Sequence, residues 1–258
     1  VMYEEYQLFG AEETQRGNPV ALSGSPSSIA NRVSWLFNFT GPSLAIDSMC
    51  SSSLSALHLA ARSIHAGDCA VAVAGGVNLT LHPNKYLMMG RGSFEATDGR
   101  CKSFGADGDG YVPSEGVGAV ILKPLAQAML DGDHIWGVLK GSAINHGGRS
   151  NGYTVPDPTS QSEVIKQALK DSGVAPETIS YVEAHGTGTA LGDPIEIAGL
   201  SKALIGNAGC AVGSVKSNIG HCESAAGIAG LTKVLLQFRH QTLVPSLHSN
   251  ALNPKLSL

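Results

Sequence analysis

From residue 43 onward, short runs of Val, Ile, Leu and Ala alternate with stretches in which apolar side chains recur every three or four positions. That alternation is the pattern of α/β units on a largely parallel sheet covered on both faces. Residues 43–47 read as a strand that runs into a helix with Leu54, Leu57, Ala60, Ala61 and Ile64 on one face and Gly67 as its stop. Residues 69–77, 118–123, 136–144, 179–184 and 211–215 read as further strands.

Two later helices carry their own start and stop residues. Ser160 with Glu163 forms a capping box ahead of Val164, Ile165, Ala168 and Leu169, and Gly173 ends the run. Asp193, Pro194 and Glu196 supply an N-cap, a first-position proline and a first-turn acid for a helix through Ile197, Leu200 and Leu204, ended by Gly206. A last helix is predicted over residues 224–238, where Ala225, Ala226, Gly227, Ala229 and Gly230 allow close backbone packing. Residues 1–42 and 83–117 read as loop-rich. No linker or repeat interrupts the pattern, so residues 1–258 are expected to form one domain. The chain opens without Met, and neither end has a tail-like composition, which suggests an internal excerpt of a longer polypeptide.

Composition narrows the function classes. Hydrophobic residues are 43% and charged residues 15% of the chain, too apolar a balance for a disordered segment. The formal charge is −4, and no Lys or Arg run forms a phosphate-backbone footprint, so nucleic acid is not expected as a partner. The longest mostly apolar run, residues 69–81, is shorter than the ~20 residues a bilayer span needs. No membrane segment or signal peptide is read. Five cysteines, Cys50, Cys69, Cys101, Cys210 and Cys222, form no CxxC pair and fit free thiols in the cytoplasm.

The candidate chemistry sits at predicted strand ends. Cys50 follows strand 43–47 and precedes a helix that opens Ser51-Ser52-Ser53. The unpaired N–H groups and positive dipole end of a helix stabilise a thiolate there, which makes Cys50 a candidate nucleophile; a buried structural thiol is the alternative. His185 follows a strand in His185-Gly186-Thr187-Gly188-Thr189, and His221 ends Lys216-Ser217-Asn218-Ile219-Gly220-His221. Open α/β sheets place their sites at strand carboxyl ends, and glycine lets a ligand or another backbone come close. Other strings fail on context. Gly148-Arg149-Ser150-Asn151-Gly152 matches G-x-S-x-G but leads into Pro156 and Pro158 rather than a helix. Gly186, Gly188 and Gly192 miss the dinucleotide fingerprint by one residue. Asp107 and Asp109 lack the further oxygen ligands of a calcium loop.

Asp47-Ser48-Met49-Cys50-Ser51-Ser52-Ser53, the His185 to Thr189 string and the Lys216 to His221 string resemble, in order, the motifs of β-ketoacyl synthases. Similarity also runs through Asp98 to Phe104 and Gly110-Tyr111 to Gly116, and so covers nearly the whole chain. Met49 and the stretch Asn145 to Pro156 resemble ketosynthase domains of modular polyketide synthases, particularly trans-acyltransferase systems. The resemblance implies a thiolase-like α/β fold in five α-β-α-β-α layers, here incomplete at both ends, and a homodimer in the complete domain. It implies an acyltransferase in which Cys50 receives an acyl chain from an acyl carrier protein thioester. A malonyl-type extender then loses carbon dioxide, and the enolate attacks the acyl-Cys. His185 and His221 would promote decarboxylation and bind the enolate oxyanion, Lys216 and Glu223 would support them, and Thr187 and Thr189 would hold the phosphopantetheine arm of the carrier protein. No metal or other cofactor is implied.

Two departures from the family pattern stand out. Only 49 residues precede the nucleophile, and the family's C-terminal Gly-Phe-Gly loop, one source of oxyanion-hole N–H groups, is absent. The excerpt alone is therefore expected to fold poorly and to be inactive. Three rivals remain: a non-elongating, transacylating ketosynthase, a thiolase using Cys222 as its acid/base, and a non-catalytic α/β scaffold.

Overall fold

The structure, a computed structural model, describes residues 6–20, 24–92, 94–207 and 209–256. The chain falls into two compact units. One comprises Val1–Ser93, Ser114–Asp133 and Cys222–Ala229, and the other Phe94–Pro113, His134–His221 and Gly230–Leu258.

In the first unit, two helices occupy the stretch that reads as loop-rich: α1 (Tyr6–Gln15) and α2 (Ser27–Phe37). Ile29, Val33 and Leu36 have the helical spacing that marks α2, and Asn38 closes it in the left-handed conformation at φ 56°. Residues 43–47 form no strand. A 3₁₀ turn over Met49–Ser51 leads into α3 (Ser52–Ala66), which stops at Gly67 as expected. The face of α3 that is buried is not the leucine face. Ser52, Ser53 and Ser55 are buried along with Leu57, while Leu54 and Leu59 are exposed. Small side chains win because the helix meets other backbone closely: a Cβ added at Gly227 would lie 2.8 Å from Ser53 Oγ.

The sheet of this unit is an antiparallel pair, β1 (Ala72–Asn78) with β2 (Gly116–Leu122), in register from Ala72 opposite Leu122 to Asn78 opposite Gly116. Between them comes α4 (Asn84–Gly92), another helix in a region that reads as loop, and α5 (Leu125–Leu130) follows β2. One face of the pair receives α3 and residues 222–229. A Cβ at Gly76 would sit 2.8 Å from Ser53 Cβ, and one at Gly118 3.1 Å from Ile228 Cγ1. On the opposite face the alternating side chains of β2 are open: Val117 is 83% and Ile121 74% exposed. Coverage of both faces, expected from the apolar runs, does not hold for this pair among the described residues.

The second unit opens its helical part with α6 (Pro158–Ser172). Its cap is Asp157, whose carboxylate accepts from Ser160 N and Ser160 Oγ at 2.7 Å each, so Ser160 lies inside the first turn rather than at the N-cap. β3 (Tyr181–Glu183) pairs in parallel with β4 (Ala211–Gly213). Between them runs α7 (Gly192–Ala203), which starts one residue before the expected cap and ends short of Gly206. After β4 come one helical turn, α8 (Lys216–Ile219), and α9 (Ala226–His240), whose first turn belongs to the other unit. Residues 136–144, read as a strand, form none. The core gathers Phe104, Ala184, Ile197 and Leu200, with Ile165, Val182 and Val212 packed against them. Among the described residues no helix is long and apolar enough to cross a membrane.

Candidate active site

The expected site residues divide between the units. Cys50 and Glu223 belong to the first, and His185, Thr187, Thr189, Lys216 and His221 to the second.

Cys50 occupies the 3₁₀ turn at the amino end of the fifteen-residue α3 and is half-buried. Its backbone is bent sharply: Ser48 has φ −136° and ψ 41°, and Met49 takes φ 57°, a left-handed conformation costly for a long side chain. Short polar side chains fasten the bend. Asp47 Oδ1 accepts from Met49 N at 2.9 Å, Ser52 Oγ donates to Met49 O at 2.6 Å, and Ser51 Oγ donates to Ser48 O at 2.8 Å. Ser51 and Ser52, which follow Cys50, are thus local braces.

Glu223 is fully buried, has φ 46°, and forms an ion pair with the equally buried Lys85 at the start of α4. Lys85 Nζ also donates to Thr80 Oγ1 at 3.1 Å. Nothing in the local sequence around Lys85 marks it as the partner of an acid so distant along the chain. Cys222, beside it, packs under β2: its sulfur lies 3.2 Å from Ser114 Oγ and 3.6 Å from Glu115 O.

In the second unit His185 and His221 come together, with ring centroids 5.2 Å apart and planes at 84°. His221 is almost completely buried. Its N–H donates to Val112 O at 2.7 Å, and its ring meets Tyr111 edge-on at 4.8 Å. Gly220, at φ 78°, supplies the left-handed residue that turns the chain from α8 into His221. Lys216, at the start of α8, is buried. His185 is exposed as a residue, yet many protein atoms surround its ring. Burial first, and the positive charge of Lys216 second, push its pKa down to about 3. The imidazole is therefore neutral near pH 7, with one N–H to donate.

Two carboxylates of α7 clamp the His185 loop. Glu196 accepts from His185 N at 2.6 Å and Gly186 N at 2.8 Å. Asp193 accepts from Gly188 N at 3.1 Å and Phe104 N at 2.6 Å. Burial raises the pKa of both acids, and the N–H donors oppose it. The sequence marks Asp193 and Glu196 as helix-start residues; the structure turns them away from capping and into the loop. Gly188, at φ 76°, comes so near Lys102 that a Cβ would lie 2.8 Å from its nitrogen. Thr187 and Thr189 lie in the same loop with their hydroxyl oxygens 3.2 Å apart, and Thr189 Oγ1 accepts from Gly192 N at 3.1 Å. Thr189 thus satisfies the first N–H of α7, whose N-cap residue is Leu191.

Residues 1–128 match the β-ketoacyl synthase N-terminal domain, and residues 136–250 match the β-ketoacyl synthase C-terminal domain. The chain is 64% identical over 260 residues to polyketide synthase PksL of Bacillus subtilis and 64% identical over 263 residues to polyketide synthase ThaG of Burkholderia thailandensis. Those alignments cover 99% and 100% of this chain but only 6% and 5% of the two synthases. Among solved structures, the oxazolomycin ketosynthase domain OzmH KS7 of Streptomyces albus matches with TM-score 0.96 at 59% identity. The ketosynthase from module 6 of the Bacillus subtilis bacillaene synthase matches with TM-score 0.92 at 42% identity. They align with 99% and 100% of this chain, which spans 45% of each solved chain. The fold is the thiolase-like α/β fold of those ketosynthase domains.

Proposed function

Because this chain belongs to the β-ketoacyl synthase family, we propose that it carries the condensing chemistry of a polyketide ketosynthase, a decarboxylative Claisen condensation run through an acyl-Cys50 intermediate. The observation that carries this reading is the pair of perpendicular imidazoles, His185 and His221, with His185 held neutral beside Lys216.

In the first half-reaction the Cys50 sulfur attacks the acyl carbonyl of a carrier-protein thioester, and the phosphopantetheine thiol leaves with a proton. In the second, the bond from the malonyl α-carbon to its carboxylate breaks and releases carbon dioxide. The electron pair becomes an enolate, whose oxygen takes hydrogen bonds from the imidazole N–H groups of His185 and His221. The enolate carbon attacks the acyl-Cys50 carbonyl, the sulfur leaves, and a β-keto thioester remains on the carrier protein. Thr187 and the free capacity of Thr189 bind the phosphopantetheine arm. Lys216 adds to the burial that keeps His185 from taking up a proton, and Glu223, anchored by Lys85, fixes the backbone after His221. The complete enzyme works as a cytoplasmic homodimer with acyl carrier protein as partner and without a metal or dissociable cofactor.

His221 favours condensation over a ketosynthase that only hands the chain on. The packing of Cys222 against Ser114 and Glu115 favours a structural thiol over a thiolase acid/base. The 258 residues by themselves are expected to be inactive, a reading supported by the exposure of Val117 and Ile121 among the described residues. The test uses this chain within a protein of the full length of the solved ketosynthases. His185→Ala and His221→Ala each abolish carbon dioxide release from malonyl carrier protein; release at the parent rate would reject the reading.

A further inference from the structure

Glu183 ends β3, two residues before His185, with a side chain only 10% exposed. Its Oε1 accepts from Val215 N at 2.6 Å, and Val215 immediately precedes Lys216. Its Oε2 accepts from Tyr181 OH at 2.6 Å and pairs with Lys233 Nζ at 2.8 Å. Lys233 comes from α9, is itself 7% exposed, and lies 5.5 Å from the centre of the Tyr181 ring. The cluster is tightly enclosed. A Cβ at Gly213 would stand 2.6 Å from Tyr181 OH and 3.3 Å from Lys233 Nζ. One carboxylate therefore ties the chain just before one site residue to the chain just before another, and a buried cation anchors it from a third element.

Buried ion pairs add little net stability when compared with well-packed apolar side chains. What this one adds is geometry. Its carboxylate spans the ends of the two paired strands, which are the segments that deliver His185 and Lys216. Burial works to discharge Lys233, yet Glu183 and Tyr181 outweigh it and hold its pKa above the ordinary lysine value, so the anchor keeps its charge.

We propose that Glu183, anchored by Lys233, is a positioning residue that sets the His185 and Lys216 arms for the decarboxylation half-reaction. This rests on the function proposed above for those two residues. Neither Glu183 nor Lys233 reaches the reacting atoms in this account, and both act through the backbone.

The experiment measures the two half-reactions separately, in a protein carrying this chain at full ketosynthase length. Lys233→Met and Glu183→Gln are expected to slow carbon dioxide release from malonyl carrier protein about 10- to 100-fold, the penalty of a misplaced catalytic group. Acylation of Cys50 by an acyl thioester stays at the parent rate, and Lys233→Arg recovers carbon dioxide release. A parallel fall in both half-reactions, or unchanged carbon dioxide release, would overturn the proposal. If Lys233→Met fails to fold, Tyr181→Phe removes one donor from the same carboxylate with little change in packing. It is expected to slow carbon dioxide release alone, and equal rates with the parent would count against the proposal. His185→Ala, run alongside, separates the two ideas: carbon dioxide release that survives it defeats the proposed function itself.

Discussion

The rings of His185 and His221 stand perpendicular, 5.2 Å apart, with the buried Lys216 bearing on the first of them. Burial does most to keep the His185 ring neutral, and Lys216 adds to it, because a proton there would place a second positive charge near an existing one. Replacing Lys216 by Met removes that repulsion and raises the His185 pKa above its value of about 3. Ring-proton NMR titration of the parent and Lys216→Met proteins reads the shift. A midpoint that stays put or moves down contradicts the assignment.

The same depressed pKa makes stability depend on pH with a definite sign. Between about 3 and the ordinary 6.5, the unfolded chain takes up a proton that folded His185 refuses. The stability tied to neutral His185 is full above pH 6.5 and is lost as pH falls toward 3. The raised acids Asp193 and Glu196 act in the opposite sense, stabilising at low pH and losing that contribution as pH rises through their folded pKa. A His185→Phe variant isolates the histidine: between pH 7 and pH 5, about the range below an unperturbed His, the parent Tm drops more than the variant Tm. Equal drops would place the His185 pKa near its ordinary value.

Glu196 offers both carboxylate oxygens to backbone N–H groups, those of His185 and Gly186. Glu196→Ala leaves both donors without their acceptor, at up to about 1–3 kcal/mol for the more buried Gly186 N–H and less for that of His185, which water can reach. Glu196→Gln keeps one acceptor and costs less. Urea unfolding measures the difference, and carbon dioxide release falls with it because the loop that aims His185 loosens. An Ala variant as stable and active as the parent would show that the clamp is dispensable.

The buried Lys85 and Glu223 pair predicts a non-additive pair of mutations. Lys85→Met alone strands a carboxylate in the interior and costs about 3–5 kcal/mol, while Lys85→Met with Glu223→Gln recovers most of that loss. Denaturant unfolding of the two single variants and the double variant completes the cycle. Additive losses would mean that the charges do not depend on each other.

The chemistry-bearing residues are easier to read in the sequence than the strands expected ahead of them. Cys50, His185 and His221 stand out because short apolar runs stop just before them or before the turn that carries them, with small residues alongside. Residues 43–47 and 136–144 show the limit of that reading. An apolar run reports burial, while strand formation also needs a partner backbone, and neither segment forms a ladder. The serine face of α3 is hidden in the sequence because periodicity weighs apolarity, whereas the close approach of Gly227 to Ser53 rewards small size. Asp157 does not stand out as the cap because Ser160 and Glu163 satisfy a local rule equally well. The structure decides by spending both Ser160 donors on Asp157. Lys85 is unmarked in the sequence, and Asp193 and Glu196 are marked only as helix-start residues, for a different reason. Each of their partners lies in another loop, and only the folded backbone brings that loop near.

In the proposed reaction the sulfur at the amino end of α3 carries the growing acyl chain. Intact-mass and peptide mapping of a full-length ketosynthase containing this chain, after brief incubation with an acyl thioester, tests it most directly. The account predicts one acyl group, found on the peptide containing Cys50 and absent from a Cys50→Ala variant. Acylation of Cys101, Cys210 or Cys222 instead, or an adduct that persists in Cys50→Ala, would contradict it.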